Sequence, residues 1–370
     1  MNIANRYSKP PQMRRILIIQ LGDIGDIVWS LPAIQAVRDT YPCAEVAVLL
    51  REGSGSLLAA GALPPKIFEV RKRFGESLRL IRALRRERFE LVFDFRGDER
   101  GGYMAFVTGA PIRAAIHYPS IPGLRNHLFT HLVSTAGEPM AAVGAADLSL
   151  YILKAFGIET GKVIPELCLS REACSRAAKM LADAGIPAPE EAMGEGGERL
   201  RDGTVQRGGW VTVNPFSRWS YKEWELSKWV QILDWLWKEF GVAAVIVGAP
   251  AERERAGELG HSCAGKVYNL VGKTTLAELA GVLQRSRLHL GVDSAAPHIA
   301  AAVATPTVTL YGPSDWRYWS PPGERNRVVI PEMACAPCHL KGCEGSGVSR
   351  CLDTLPVERV RAIIREALSS

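Results

Sequence analysis

The sequence lacks any run of the ~18 apolar residues that a transmembrane helix requires. Its first apolar stretch, Ile16 to Ile19, ends at Gln20, too short for the hydrophobic core of a signal peptide. A cytoplasmic chain is therefore expected. There is no Walker P-loop and no H-E-x-x-H sequence, which removes the usual signatures of P-loop nucleotide hydrolysis and of one zinc peptidase class. A strong charge excess is missing too: 45 Lys and Arg against 39 Asp and Glu give a net +6. That suits an anionic small molecule or surface, and no nucleic-acid partner is expected. Hydrophobic residues at 47% and charged residues at 23% exclude a disordered or fibrous chain. Of eight cysteines, Cys43, Cys168, Cys174 and Cys263 are scattered, and without an export signal they read as free thiols.

The chain's 370 residues are about 2.5 times a typical ~150-residue domain, so two domains are expected. Arg15 to Gln20 reads as a strand that stops before Gly22, and Pro32 to Tyr41 follows with helical spacing. Glu45 to Leu50 and Leu91 to Phe95 read as further strands, with a basic helix at Leu78 to Arg88 between them. Such alternation predicts βαβ units and a parallel sheet. From Pro187 to Gly209 the text is rich in Gly, Pro and charge, which reads as a loop or linker. The pattern then restarts with strands at Trp210 to Val213, Ala243 to Val247, Leu288 to Val292 and Thr307 to Tyr311. Helices are expected at Lys228 to Phe240, at Leu276 to Gln284 and from near Pro297. The expected division is an N-terminal domain over 1–190, a Gly-rich linker over 191–209, a C-terminal domain over 210–352 and a closing amphipathic helix within 353–370.

Four segments carry candidate chemistry. Gln20-Leu-Gly-Asp-Ile-Gly-Asp26 follows the first strand, with Gly22 and Gly25 expected to allow a tight turn at the sheet's carboxyl edge, where open α/β sheets place ligands. Their spacing is G-x-x-G, not the dinucleotide G-x-G-x-x-G. Asp26 reads either as a helix-capping carboxylate or as a general base at the mouth of a cleft. Asn214 to Trp224 sets Ser217, Arg218, Ser220 and Lys222 at the end of a strand, the donors and cations that a diphosphate needs. Gly291-Val-Asp-Ser-Ala-Ala-Pro-His298 runs from strand to helix, with Asp293 or Ser294 as N-cap and a helix N-terminus available to an anion; the alternative for His298 is an ordinary packed histidine. Glu252, in Gly248-Ala-Pro-Ala-Glu252, is either a surface acid or an acceptor for a ribose or base.

No D-x-D occurs, so the carboxylate pair that usually carries a divalent ion for a nucleotide sugar is missing, and a leaving diphosphate would be neutralised by Lys222, Arg218, hydroxyls and helix dipoles. Cys335, Cys338, Cys343 and Cys351 lie within 17 residues, with only the first pair at C-x-x-C spacing; zinc, iron–sulfur and unliganded thiols are all open, unliganded thiols are preferred, and no metal is assigned. Arg71 to Arg88 holds eight basic and two acidic residues, which fits either a core-packed helix with a solvated face or contact with anionic lipid headgroups.

Together these segments resemble glycosyltransferase family nine, the lipopolysaccharide heptosyltransferases. ILIIQLGDIGDIVWSLPAI is similar to the family's opening strand, Gly-Asp turn and helix, and VDSAAPHIAAAVATPTVTLYGPSD to its second signature. Lys222 with Trp224, the Gly-Ala-Pro-x-Glu segment and the C-terminal cysteines fit as well, so the resemblance runs from about residue 14 to 368. It implies an α/β GT-B fold, two Rossmann-like domains facing across a cleft, and inverting transfer of heptose from ADP-heptose to the lipopolysaccharide inner core with no cofactor or obligatory metal. By the same resemblance Asp26 is the base. Ser217, Lys222, Asp293, Ser294 and His298 meet the diphosphate and sugar, Glu252 meets the ribose, and Asp94, Arg96 and Arg100 stand in the acceptor-side loop. Ala295 replaces the family's frequent glycine, which places a Cβ near an incoming phosphate. An anionic glycolipid acceptor and a peripheral position at the inner membrane complete the expectation.

Overall fold

The computed structural model describes residues 10–62, 64–71, 74–118, 124–135, 144–187 and 209–369. The chain divides into two compact units, Met1–Glu166 and Leu167–Ser370. The first is built on six parallel strands, β1 (Arg15–Gln20), β2 (Glu45–Arg51), β3 (Lys66–Val70), β4 (Leu91–Asp94), β5 (Ile112–Ile116) and β6 (His131–Val133), in the order β3-β2-β1-β4-β5-β6. The second has β7 (Trp210–Asn214), β8 (Ala243–Ile246), β9 (Val267–Asn269), β10 (His289–Val292), β11 (Thr307–Leu310) and β12 (Asn326–Val329), in the order β12-β11-β10-β7-β8-β9. Both sheets thus repeat one doubly wound topology. Its strands are apolar throughout rather than alternating because helices cover both faces of such a sheet; Ile16 to Ile19 are all fully buried.

The order reverses once in each sheet. In the first, β1 lies between β2 and β4, with Ile19 opposite both Leu49 and Asp94. In the second, β7 lies between β8 and β10, with Asn214 opposite Gly291. At such a switch point the loops after two adjacent strands diverge, leaving a crevice at their carboxyl ends.

The division between the units falls at Glu166/Leu167, ahead of the expected boundary at residue 190. Helix Arg171–Asp183 belongs with the second unit because it packs on helix Leu276–Arg285. The two helices approach closely over small residues: a Cβ on Gly281 would stand 2.5 Å from the Cβ of Ala177. The Gly-rich stretch expected as linker lies, up to residue 208, outside the described residues. The closing helix, Val357–Ser369, buries Val357, Val360 and Ile364 in the core shared by β7, β8, β10 and β11. Arg365 ties it to Glu239 at 2.7 Å.

Several elements escape the sequence pattern. β3, β5, β6 and β9 are short or only partly buried, so no long apolar run marks them. The basic helix begins at Phe74 rather than Leu78.

Candidate functional site

After β1 the chain turns through Leu21 and Gly22, and helix Ile24–Trp29 starts with Asp23 as N-cap. Asp26 is its third residue, and its Oδ2 accepts the Asp23 N–H at 2.7 Å, so the capping reading of Asp26 is realised. The return path of that carboxylate explains Gly22. Any Cβ there would lie 2.4 Å from Asp26 Oδ2, and the Gly22 N–H donates to Gln20 Oε1 at 3.0 Å. The expectation that Gly22 and Gly25 serve a tight turn needs correction: neither has a positive φ, and Gly25 is already inside the helix. Gly22 is needed for space, not for conformational freedom.

Capping does not exhaust Asp26. Burial raises its carboxyl above the ordinary carboxylate range, against the lowering by the Asp23 N–H and by Arg96. Arg96 reaches it from the loop after β4, Nη1 to Oδ2 at 3.0 Å. Both hydrogen bonds end on Oδ2, which leaves Oδ1 for a further donor. The neighbouring Asp23 pairs with Arg51 at the end of β2, 2.9 Å away.

The loop carrying Arg96 is anchored beneath. Asp94, wholly buried, accepts the Arg96 and Gly97 N–H groups on Oδ1 at 3.1 and 2.9 Å. Its Oδ2 faces Gly101, where a Cβ would come within 2.2 Å, and has no hydrogen-bond partner among the described residues. Burial pushes this carboxyl up to about 7. Asp94 is thus a support for the loop after β4 rather than an exposed group. Arg100 is exposed in the first turn of helix Glu99–Val107.

The second switch point is built alike. β7 ends at Asn214, whose Oδ1 accepts the Phe216 N–H at 3.1 Å and whose Nδ2 donates to Ser294 Oγ at 3.4 Å. A single 3-10 turn, Ser220–Lys222, then aims Lys222 at Asp293 after β10, with Nζ 2.6 Å from Oδ2. Ser217 Oγ donates to the Asp293 carbonyl at 3.4 Å. Ser220 turns to the Gly347 carbonyl, 3.1 Å away, and Arg218 is exposed over the Trp219 ring at 5.1 Å. The structure therefore joins Ser217, Lys222, Asp293 and Ser294 and sets Arg218 at the rim.

Ser294 is the N-cap of helix Ala295–Ala302 but makes no side-chain capping bond, so its hydroxyl does not occupy the first-turn N–H groups. His298 lies in that helix, buried between the fields of Asp293 and Lys222, and burial lowers its imidazole to about 4. It is therefore neutral at pH 7. After β8, Glu252 bends back so that Oε2 accepts the Ala249 N–H at 2.7 Å. A Cβ on Gly248 would meet that oxygen at 2.4 Å, the same device as Asp26 over Gly22. Burial raises the Glu252 carboxyl.

Sequence reading missed the cross-strand partners: Arg96 on Asp26, Arg51 on Asp23, and the Glu223–Arg255 pair beside Phe216. The charged residues at strand ends were a visible signal, but which ends adjoin was not. Among the described residues no group of three or more His, Cys, Asp or Glu is spaced to hold a metal ion, and Cys335, Cys338, Cys343 and Cys351 form no disulfide.

Comparison with known proteins places this chain in a family. The sequence model of Glycosyltransferase family 9 (heptosyltransferase) matches residues 77–348. The chain is 24% identical over 311 residues to lipopolysaccharide heptosyltransferase 3 of Escherichia coli, covering 80% of this chain and 83% of that one. Among solved structures, a glycosyltransferase family 9 protein of Veillonella parvula superposes with a TM-score of 0.75 at 18% identity, covering 99% of both chains. An E. coli heptosyltransferase with ADP-2-deoxy-2-fluoro heptose superposes with a TM-score of 0.67 at 20% identity, covering 95% of this chain and 99% of that one. A family match that extends from the basic helix to the C-terminal cysteine loop takes in Asp94, Lys222, Glu252 and Asp293 alike, and with two Rossmann-like sheets of GT-B type this chain belongs to glycosyltransferase family 9 and is a glycosyltransferase.

Proposed function

We propose that the protein transfers a heptose from ADP-heptose to the inner core of lipopolysaccharide, with inversion and without a metal ion. Direct displacement at an anomeric carbon needs a base for the acceptor hydroxyl and neutralisation of the departing diphosphate. Asp26 has the chemistry for the first, a desolvated carboxylate with Oδ1 open. Lys222 has the chemistry for the second, with Arg218, Ser217 and the start of helix Ala295–Ala302 beside it and Glu252 for the ribose. The observation that carries the reading is the raised, half-capped Asp26 at the first switch point. The E. coli heptosyltransferase solved with an ADP-heptose analogue and the lipopolysaccharide heptosyltransferase relative support the choice of donor and acceptor.

The acceptor is an anionic glycolipid, so the proposal includes a cytoplasmic chain at the inner membrane. Helix Phe74–Glu87 exposes Arg79, Arg82 and Arg86 beside Leu78, basic and apolar groups that suit an anionic lipid surface. Lys72 and Arg73 lie outside the described residues. No helix among the described residues is long and apolar enough to cross a membrane. Co-sedimentation with anionic vesicles but not with neutral ones is expected, and equal binding to both refutes the contact.

Calorimetry against ADP, UDP and GDP, with and without magnesium, tests the donor. Magnesium-independent preference for ADP is expected. A preference for UDP or GDP would move the function to another sugar and surface glycan, and no binding would point to a non-catalytic glycan-binding protein.

A further inference from the structure

Arg96 is held in an unusual way for an exposed arginine. Its own backbone is fixed at two points and the following carbonyl at a third. Asp94 Oδ1 accepts its N–H, Tyr118 Oη donates to its carbonyl at 3.3 Å, and Arg125 Nε donates to the carbonyl of the next residue, Gly97, at 2.6 Å. Gly97 has φ +64°, a conformation that favours glycine and tightens the loop here. Arg125 is itself buried, with Nη2 on the Ile116 carbonyl at 2.6 Å. All this structure fixes the origin of a side chain that then spans two carboxylates, Nη1 to Asp26 Oδ2 at 3.0 Å and Nε to Asp98 Oδ2 at 3.1 Å.

Neither carboxylate depends on Arg96 for its place. Asp98 caps helix Glu99–Val107 through Oδ1, which accepts the Gly101 N–H at 2.8 Å, and Asp26 is held by the Asp23 N–H. The guanidinium is 40% exposed and Asp26 25% exposed, so the ion pair is partly solvated and weak enough to exchange. A planar fork that already holds two carboxylate oxygens is shaped for another oxyanion.

We propose that Arg96 is an exchangeable clamp on Asp26: in the free protein it bridges Asp26 and Asp98, and it transfers to a phosphate or carboxylate carried by the acceptor, releasing Asp26 as the acceptor hydroxyl arrives. The inference rests on the function proposed above and adds the coupling of acceptor charge to the strength of the base. The charged groups acting on Asp26 are Asp23 from its own turn, Arg51 from the end of β2 and Arg96 from the loop after β4. Arg51 is committed to Asp23 at 2.9 Å, so withdrawal of Arg96 leaves burial and the Asp23 charge to raise the Asp26 carboxyl further. An uncharged acceptor leaves the clamp in place and the base weak, so Arg96 is a positioning residue that also selects for acceptor charge.

The test follows the Asp26 side-chain carbon by NMR across pH, using 13C-labelled protein with deacylated lipopolysaccharide from a heptose-deficient strain as probe. In the wild type the Asp26 midpoint rises by about half a unit or more on binding the probe. In Arg96→Gln it starts high, the probe adds nothing, and the acid limb of kcat/KM moves with it, while Arg96→Lys restores part of the wild-type behaviour. The acceptor KM of Arg96→Gln rises about 10-fold, more than kcat falls, because the lost contact is one charge-assisted hydrogen bond. A merely structural role would lower the melting temperature and leave the Asp26 midpoint alone, and that result overturns the clamp. Probe binding that leaves the wild-type midpoint unmoved also overturns it, as does inorganic phosphate at millimolar concentration releasing Asp26 as fully as the probe. If the probe does not bind the wild type at all, the proposed acceptor fails and the clamp with it, an outcome distinct from the others.

Discussion

The two switch points share a topology and have opposite polarity. At the first, the carboxylate Asp26 follows the central strand β1 and the cation Arg96 comes from the neighbouring β4 loop. At the second, the cation Lys222 follows the central strand β7 and the carboxylate Asp293 comes from the neighbouring β10 loop. Each crevice thus holds one ion pair across the reversal of strand order, with the charge proposed to act on substrate on the first loop and its counter-ion on the second. Burial differs as well. Asp26 and Arg96 are 25% and 40% exposed, whereas Lys222 and Asp293 are 22% and 10% exposed. The more open pair is the one expected to exchange its partner, and the tighter pair is a fixed cation whose counter-ion stabilises it between ligands. One crevice is therefore suited to a hydroxyl that must lose a proton and the other to a diphosphate that must lose charge.

The largest effect should come from Asp26→Asn, which keeps an acceptor for the Asp23 N–H but removes the proposed base. We expect kcat to fall by about 10²- to 10⁴-fold, the usual contribution of a general base, with ADP affinity in calorimetry unchanged. A variant that keeps most of its activity would break the assignment of roles to the two crevices. Next, Lys222→Met should weaken ADP binding by about 10- to 100-fold, the worth of one hydrogen bond to a charged group. It should also lower the melting temperature, because it takes the cation away from the mostly buried Asp293. Adding Asp293→Asn should recover stability but not affinity, and recovery of both would deny Lys222 its role at the diphosphate.

Gly22→Ala and Gly248→Ala compare the folded-back carboxylates directly. Each Cβ would come within 2.4 Å of a carboxylate oxygen, of Asp26 or of Glu252, so each should cost about 1–3 kcal/mol of stability as overpacking. Gly22→Ala should depress kcat, whereas Gly248→Ala should change ADP affinity and spare kcat, and matching kinetic profiles would contradict the division of labour.

The smallest effect concerns the support beneath Arg96. Asp94 has its carboxyl raised from 3.8 to about 7, so the folded protein binds a proton there that the unfolded chain has lost. Stability from this group is then full below about pH 4 and declines as pH rises to about 7. In urea titrations Asp94→Asn should flatten that part of the pH dependence while keeping acceptors for the Arg96 and Gly97 N–H groups. An unchanged slope would show that Asp94 is ionised in the folded state.

Much of this was legible in the sequence. Continuous apolar runs such as Ile16 to Ile19 announced buried parallel strands, and the restart at Trp210 announced a second sheet. Asp26, Lys222 and Glu252 stood out because each follows a strand end, where α/β sheets gather ligands. Short, partly buried strands such as β6 gave no comparable signal, and helix Arg171–Asp183 could not be assigned to the second unit because its small-residue contact with Gly281 is a matter of packing, not of period.

The sequence by itself determined the local devices: where strands stop, which acid lies in the first helical turn, and where a glycine leaves space for a carboxylate to fold back. These depend on interactions within a few residues. Tertiary structure alone decided the partners, since Asp26 and Arg96 are 70 residues apart and Lys222 and Asp293 are 71 apart. They meet because the strand order puts β4 beside β1 and β10 beside β7, an arrangement set by how whole βαβ units bury their apolar faces and not by the spacing of any two charges along the chain.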